Sequence, residues 1–400
     1  MSKYHSYRRA SALTVALCVA QSAMAQDDCG DQCDAKPYQL EVDYVHDAWR
    51  NTRGGLSTGH RNLDYAELSF QADGAALWNI PELTLYASAN YTNGQSVSDD
   101  LTGDAQVVSN IQAISTVRLG ELWAEWGMGR SNNFRAGLYN LNAEFDCIDS
   151  GALFLNSSHG IGIDISQSGL NGPSIFPVTA FAGRLRWTIN SAWSLFTAAA
   201  DGVPGDPDRP KRTVVHFGEQ EGALLIAEAN RSGTRLRKLG FGAWRYTGEL
   251  DRIDSELTGA RSHSAGAYVL ADMKLYSPEP QSEQGLTAFV RYGVANKGVN
   301  RFGNYTGAGV TYTGVLAHDD QLGFAMARAR NADAYRTVQG RGGLATDSAE
   351  TNFELTWRFA LKEWLSVQPD LQYILNPDTN PTLRNALAVG VRFEIDQLLF

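Results

Sequence analysis

From Gln39 to the end, the chain repeats one arrangement: about ten residues with an apolar side chain at every second position, then Gly, Asn, Asp or Pro. A period of two with such punctuation predicts β-strands and turns, because successive side chains of a strand point to opposite faces. The clearest segment sets Leu83, Leu85, Ala87, Ala89 and Tyr91 against Thr84, Tyr86, Ser88 and Asn90. Phe353, Leu355, Trp357 and Phe359 likewise oppose Asn352, Glu354, Thr356 and Arg358. Near the end, Leu387, Val389, Val391, Phe393 and Ile395 oppose Ala388, Gly390, Arg392 and Glu394.

Sixteen such segments are predicted, near 39–48, 62–71, 82–91, 116–127, 133–141, 178–188, 192–201, 222–230, 237–247, 264–275, 285–295, 304–316, 320–330, 349–359, 364–375 and 384–396. In a soluble sandwich the apolar faces would meet in a core. In an outer-membrane barrel they face lipid and the charged faces line a channel. No stretch of about 18 apolar residues is present to span a bilayer as a helix, so a membrane form of this chain must be a closed barrel. The even strand count and the one long interval, 142–177, predict an all-β transmembrane antiparallel barrel of about 16 strands with a long constriction loop folded into the lumen. Sixteen strands leave a water-filled interior, whereas eight would fill with side chains.

The beginning of the chain sets the compartment. Lys3, Arg8 and Arg9 precede an apolar run from Ala12 to Ala20 and then Ala23-Met24-Ala25, the layout of a Sec signal peptide over 1–25 with an A-x-A cleavage site. A lipoprotein signal at Cys18 is disfavoured, since Leu17 stands where a small residue is needed. The expected division is then a leader at 1–25, a short periplasmic segment at 26–37 and an outer-membrane barrel at 38–400. Cleavage leaves 31 of the 34 Lys+Arg against 44 Asp+Glu, a net of −13, which argues against nucleic acid as a partner. Of the cysteines that remain, Cys29 and Cys33 are spaced for a small periplasmic disulfide loop, preferred over a metal site that lacks further ligands nearby. Cys147 is left unpaired.

Aromatic residues at segment ends, among them Tyr38, Trp49, Trp78, Trp187, Trp193 and Trp364, fit the girdles of a membrane barrel, although aromatics also simply favour strands. The terminal Phe400 fits an assembly signal read by the barrel-assembly machinery. Its parity is imperfect, because Phe400, Leu398 and Asp396 fall out of step with Ile395, Phe393 and Val391; a bulge or an early strand end is expected there.

The central region carries more particular motifs. Asp100-Leu101-Thr102-Gly103-Asp104 and Val108-Ser109-Asn110-Ile111 precede Leu119-Gly120-Glu121-Leu122-Trp123, and Gly137-Leu138-Tyr139-Asn140-Leu141-Asn142-Ala143-Glu144-Phe145-Asp146 follows. Next stand Leu153-Phe154-Leu155-Asn156-Ser157-Ser158-His159-Gly160-Ile161-Gly162, Ser166-Gln167-Ser168-Gly169 and Gly172-Pro173-Ser174-Ile175-Phe176-Pro177-Val178. Arg184-Leu185-Arg186-Trp187 and Asp201-Gly202-Val203-Pro204-Gly205-Asp206-Pro207 close the run. That order of motifs resembles the OprB-type carbohydrate-selective porins, densely from about residue 60 to 207 and through strand pattern alone beyond. The resemblance implies a sixteen-stranded outer-membrane barrel that admits glucose and other small saccharides by passive diffusion. Some members begin with a helical periplasmic segment, for which 26–37 leaves no room.

A sugar channel needs a constriction about as wide as a hexose and side chains that replace water hydrogen bonds without holding the solute. Arginine–carboxylate pairs can bridge hydroxyls, and aromatic faces stack on the apolar faces of a sugar ring. Alternation assigns inward positions to Glu121, Trp123, Glu125, Arg135, Arg184, Arg186, Arg291, Arg392 and Glu394, since a charge on the lipid face costs roughly 2–4 kcal/mol at mid-membrane. Glu144, Asp146 and Asp149 form an acidic cluster in the long interval that could face the basic wall; a solvated or calcium-screened loop surface is the alternative. Gly160, Gly162, Gly169, Gly172, Pro173 and Pro177 read as bends folding that loop back. No cofactor motif is present, and no Gly-x-x-x-x-Gly-Lys-Ser/Thr occurs. Small saccharides, outer-membrane lipid and the assembly machinery are the expected partners, with a homo-oligomer left open. Three other readings remain: a general or anion-preferring porin, suggested by the inward arginines; an outer-membrane hydrolase using Ser157, Ser158 and His159, which lack an identifiable elbow or partner acid; and a soluble lectin-like β protein.

Overall fold

The computed structural model describes residues 36–399 apart from 130, 217, 219–220 and 280–281. The predicted leader, Cys18, Cys29, Cys33 and Phe400 lie outside the described residues. Among those described, sixteen strands close into one barrel. They are β1 (Tyr38–Gly55), β2 (Gly59–Asp73), β3 (Leu83–Thr92) and β4 (Thr116–Gly127), then β5 (Asn133–Tyr139), β6 (Ala180–Thr188), β7 (Trp193–Asp201) and β8 (Ala223–Arg231). The second half comprises β9 (Leu236–Asp251), β10 (Arg261–Tyr276), β11 (Gly285–Ala295) and β12 (Phe302–Thr313), then β13 (Gln321–Asn331), β14 (Ala349–Lys362), β15 (Leu365–Leu375) and β16 (Arg384–Leu398). Every strand pairs antiparallel with its chain neighbours, and β16 pairs with β1 to close the ring.

Each predicted segment corresponds to one strand. The largest differences lie at strand ends, as in β9 and β10, which run on to Asp251 and back from Arg261. The apolar alternation stops before the strand does, because a hairpin that continues past the lipid has no apolar face to maintain. The chain termini share one end of the barrel with short connections such as 128–132, 189–192 and 232–235. The long connections, 93–115, 140–179, 202–222 and 332–348, all leave the other end.

The outward faces are as the alternation predicts. Leu68, Phe70, Leu122, Leu225, Phe241, Phe324, Leu355, Val389 and Phe393 are exposed, while Ser88, Asn90, Asn352, Glu354 and Thr356 on the opposite faces are buried. Tyr38, Trp78, Trp187 and Trp364 stand exposed at strand ends or in connections, where a girdle is expected. Trp49 departs from that expectation: it is buried on the inner face, and its indole Nε1 donates to Asp47 at 3.2 Å. The indole lies flat over Gly390 of β16, where an added Cβ would come within 2.5 Å of the ring. A glycine beneath an aromatic lets a large side chain lie along the wall instead of projecting into the interior. Near the C-terminus no bulge interrupts β16 between Ile395 and Leu398, which pair in continuous register with β1. Asp396 therefore faces inward with Arg392 and Glu394.

The inner faces differ from a wet, charged lining. Leu224, Ile226, Trp244, Tyr246, Tyr268, Leu270 and Phe289 of the wall pack with Leu141, Phe145, Ile148, Phe154, Ile161 and Ile165 of the long interval into one buried apolar cluster. Connection 93–115 behaves the same way, Val97, Val108 and Ile111 packing with Val45, Trp49, Leu63 and Ile374. Two inner segments thus cover much of the inward wall, where the alternation had marked only one. The wall is apolar beneath them for the usual reason: burying apolar surface is worth roughly 25 cal/mol per Å².

Candidate functional site

The wall carboxylates position the two inner segments. Backbone N–H groups that enter a buried region without strand partners need acceptors, and here inward carboxylates supply them. Glu354 of β14 accepts from Leu155 N at 2.5 Å and Asn156 N at 3.0 Å. Glu350, four residues earlier on the same face of β14, accepts from Ala105 N at 2.8 Å, Gln106 N at 3.0 Å and Asp378 N at 2.6 Å. Glu228 of β8 accepts from Asp146 N at 2.7 Å, and Asp272 of β10 from Ser150 N and Oγ at 3.2 and 2.9 Å. Gln372 Nε2 donates to Val108 O at 2.8 Å, and Tyr305 OH to Ser158 O at 2.5 Å.

The arginines named from the sequence fall into three places. The first lies on β4 to β6: Arg135 Nη2 stands 2.8 Å from Glu125, and its guanidinium lies 3.8 Å over the Trp123 ring and 5.0 Å from that of Tyr139. Arg184 donates to Glu125 at 2.7 Å and to both oxygens of Glu144 at 2.7 and 2.8 Å. Trp123 stacks on Tyr86 at 5.0 Å and 16°, and Glu121 accepts from Asn140 N at 2.9 Å where the long interval leaves β5. Arg186 extends the row, 5.5 Å over Phe196.

The second place centres on Arg291 of β11, whose Nε donates to Asp146 at 2.6 Å and whose Nη1 donates to Asp164 at 2.7 Å. Gly162 sits against it, since a Cβ there would lie 2.0 Å from Nη1; only glycine lets the inner backbone approach this guanidinium. The third is Arg392, which donates twice to Asp47, at 2.7 and 2.9 Å, and to Asn110 at 2.7 Å. Arg135, Arg184, Arg291 and Arg392 are buried. Their open neighbours are Glu125 and Glu144, with side chains 20% and 15% exposed, and the half-buried Tyr86, Arg186 and Phe196.

Glu144 and Asp146 therefore dock directly onto basic wall residues, whereas the expectation set them across a gap. Asp149 is separate and largely exposed, 3.5 Å from Arg237. Glu228 carries a sequence signal that alternation alone leaves unread, a single acid at inward parity in an otherwise apolar stretch, Leu224-Leu225-Ile226-Ala227-Glu228; Glu350 and Glu354 share the polar face of β14, where alternation placed Glu354 without its anchoring role. His159 lies between the rings of Phe154 and Phe289, at 5.0 and 6.0 Å, and burial pushes its pKa down to about 3. Neither ring nitrogen has a hydrogen-bond partner, so no hydrogen bond from Ser157 or Ser158 reaches it as nucleophilic catalysis would require.

A closed sixteen-strand barrel with inner segments docked on its wall defines a porin-type channel. Residues 57–396 match the carbohydrate-selective porin family, OprB, and the chain belongs to that family. It is an outer-membrane sugar porin by that membership. Porin B of Pseudomonas aeruginosa PAO1 is 24% identical over 406 aligned residues, covering 90% of this chain and 87% of its own. The structure is similar to the high-pH structure of Pseudomonas putida OprB, with a TM-score of 0.79, 21% identity and coverage of 90% and 94%. It is also similar in fold to the outer-membrane channel DcaP of Acinetobacter baumannii, with a TM-score of 0.58, 10% identity and coverage of 90% and 97%.

Proposed function

We propose that the barrel admits small neutral saccharides such as glucose by passive diffusion, along a passage narrowed by the two inner segments and bordered by Tyr86, Glu125, Glu144, Arg186 and Phe196. The observation that carries this reading is charge compensation. Arg135, Arg184, Arg291 and Arg392 each sit within 2.9 Å of a carboxylate. A wall of paired charges presents donors and acceptors without the net positive field that would favour anions, which suits a polyhydroxylated neutral solute. Arg186 over Phe196 and the half-buried ring of Tyr86, backed by Trp123, add faces for a sugar ring. In this reading the buried arginines hold the wall and the inner segments in place, and the half-exposed row meets the solute.

Liposome swelling tests it. Glucose is expected to enter several-fold faster than gluconate of similar size, and added glucose to lower the ion conductance in planar bilayers. Arg186→Ala should weaken that glucose block while leaving the barrel heat-modifiable on gels. Gluconate entering as fast as glucose would favour the anion-preferring reading suggested by the arginine count.

Export is proposed through the leader at 1–25. The mature protein should then begin at Gln26 by intact mass, and a mass that retains Met1 or carries lipid on Cys18 overturns that boundary. With the short connections on the periplasmic side, as is general for such barrels, the chain termini face the periplasm and the inner segments descend from the outside.

A further inference from the structure

The outer wall between β5 and β9 departs from a uniform apolar belt. Two rows of outward residues cross it in register. The first runs Gly183, Ala199, Leu225, Arg245, and the second runs Leu185, Thr197, Ala227, Ala243. Phe134 pairs with Leu185 at the edge. Gly183, Ala199, Thr197, Ala227 and Ala243 keep most of both rows small, and a shallow groove of about 540 Å³ lies over them. The next row toward the chain termini runs Trp187, Leu195, Ala229, Phe241, bulky at both ends, and Arg245 lines the groove toward the other end of the barrel.

Arg245 is exposed and outward, between the buried Trp244 and Tyr246. Among the described residues no carboxylate or carbonyl meets its guanidinium, whereas the buried Arg135, Arg184, Arg291 and Arg392 each meet a carboxylate. An unpaired arginine on a lipid-facing strand costs more the deeper it sits. A phosphate offset by bidentate hydrogen bonds is the partner that guanidinium geometry suits best. The end of the barrel toward which Arg245 lies carries the long connections, which such barrels present to the outside, so the lipid within reach belongs to the outer leaflet.

We propose that this face holds one phosphorylated, multiply acylated glycolipid of the outer leaflet, with a phosphate on Arg245 and an acyl chain in the groove over Gly183, Ala199, Ala227 and Ala243. The groove supplies contact area for the chain and the arginine supplies the choice of headgroup, and neither alone would distinguish this lipid from its neighbours.

The test is native mass spectrometry of the detergent-purified barrel titrated with hexa-acylated diphosphoryl lipid A, and separately with phosphatidylglycerol. The wild type should retain a single lipid A more firmly than phosphatidylglycerol. Arg245→Gln should lower lipid A retention about tenfold, the loss expected for one charge-assisted contact. Ala227→Phe, which fills the groove and keeps the arginine, should lower it comparably. Arg50→Gln, an exposed change on β1, should leave it unaltered, with heat-modifiable migration confirming that all three variants are folded. Retention unchanged in both Arg245→Gln and Ala227→Phe overturns the site. Equal retention of phosphatidylglycerol overturns the headgroup assignment, and a change of oligomeric state in place of lipid loss assigns the face to a second copy of the chain.

Discussion

Arg291→Leu is expected to widen the pore. The guanidinium is the only cation within hydrogen-bond distance of Asp146 and Asp164 among the described residues, and both carboxylates are fully buried. Breaking a buried pair by removing one partner costs about 3–5 kcal/mol, because the remaining charge has lost both water and counter-ion. Here two carboxylates are stranded, Asp164 within the helical turn Ile163–Ser166 and Asp146 accepting from Gly162 N at 3.1 Å just before it. The least costly response is for the inner segment to leave the wall and rehydrate them. Single-channel conductance should rise, and trisaccharides should enter liposomes faster than through the wild type. Adding Asp146→Asn and Asp164→Asn to the same variant should bring conductance back toward the wild-type value, since amides need no counter-ion. An Arg291→Leu channel of unchanged conductance and exclusion limit would show that the inner segment is held by its apolar contacts alone.

Glu354→Leu should release the same segment at a second point. The carboxylate is the acceptor for Leu155 N and Asn156 N, and each buried donor left without an acceptor costs about 1–3 kcal/mol. Leucine preserves much of the volume; because Glu354 also lies 3.8 Å from His159 Nε2, the two amides report the anchoring bonds directly. Amide exchange at Leu155 and Asn156 should accelerate, and protease should nick the 140–179 connection in folded, heat-modifiable protein. Glu354→Gln, which keeps one acceptor oxygen, should fall between. If exchange at these two amides matches the wild type in the leucine variant, water or another group serves them and the anchoring role is wrong.

The two variants probe the part of the molecule that the sequence left least defined. Alternation located each strand, since a lipid-facing row such as Phe353, Leu355, Trp357 and Phe359 cannot be mistaken for a helix face. It also assigned Arg135, Arg184, Arg291 and Arg392 to the inside correctly, because an unpaired charge would not be tolerated at mid-membrane. It stopped short at partners. Asp146 and Arg291 are 145 positions apart and Asp47 and Arg392 are 345 apart, and no local pattern joins such residues. Trp49 shows a related limit: its place at a strand end suggested a girdle, but its parity with Asp47 and the glycine at 390 turn it inward.

What the sequence determined by itself is the barrel, because a closed sheet in lipid imposes a period of two on every strand, and that period is written locally. The central motifs added the family. Only the tertiary structure decided what occupies the interior. The two inner segments have no period of their own, so their burial depends on wall carboxylates, arginines and apolar side chains drawn from strands far apart in the chain. Whether an inward arginine meets solute or a buried aspartate is set by that docking, and so is the width of the path left for a sugar.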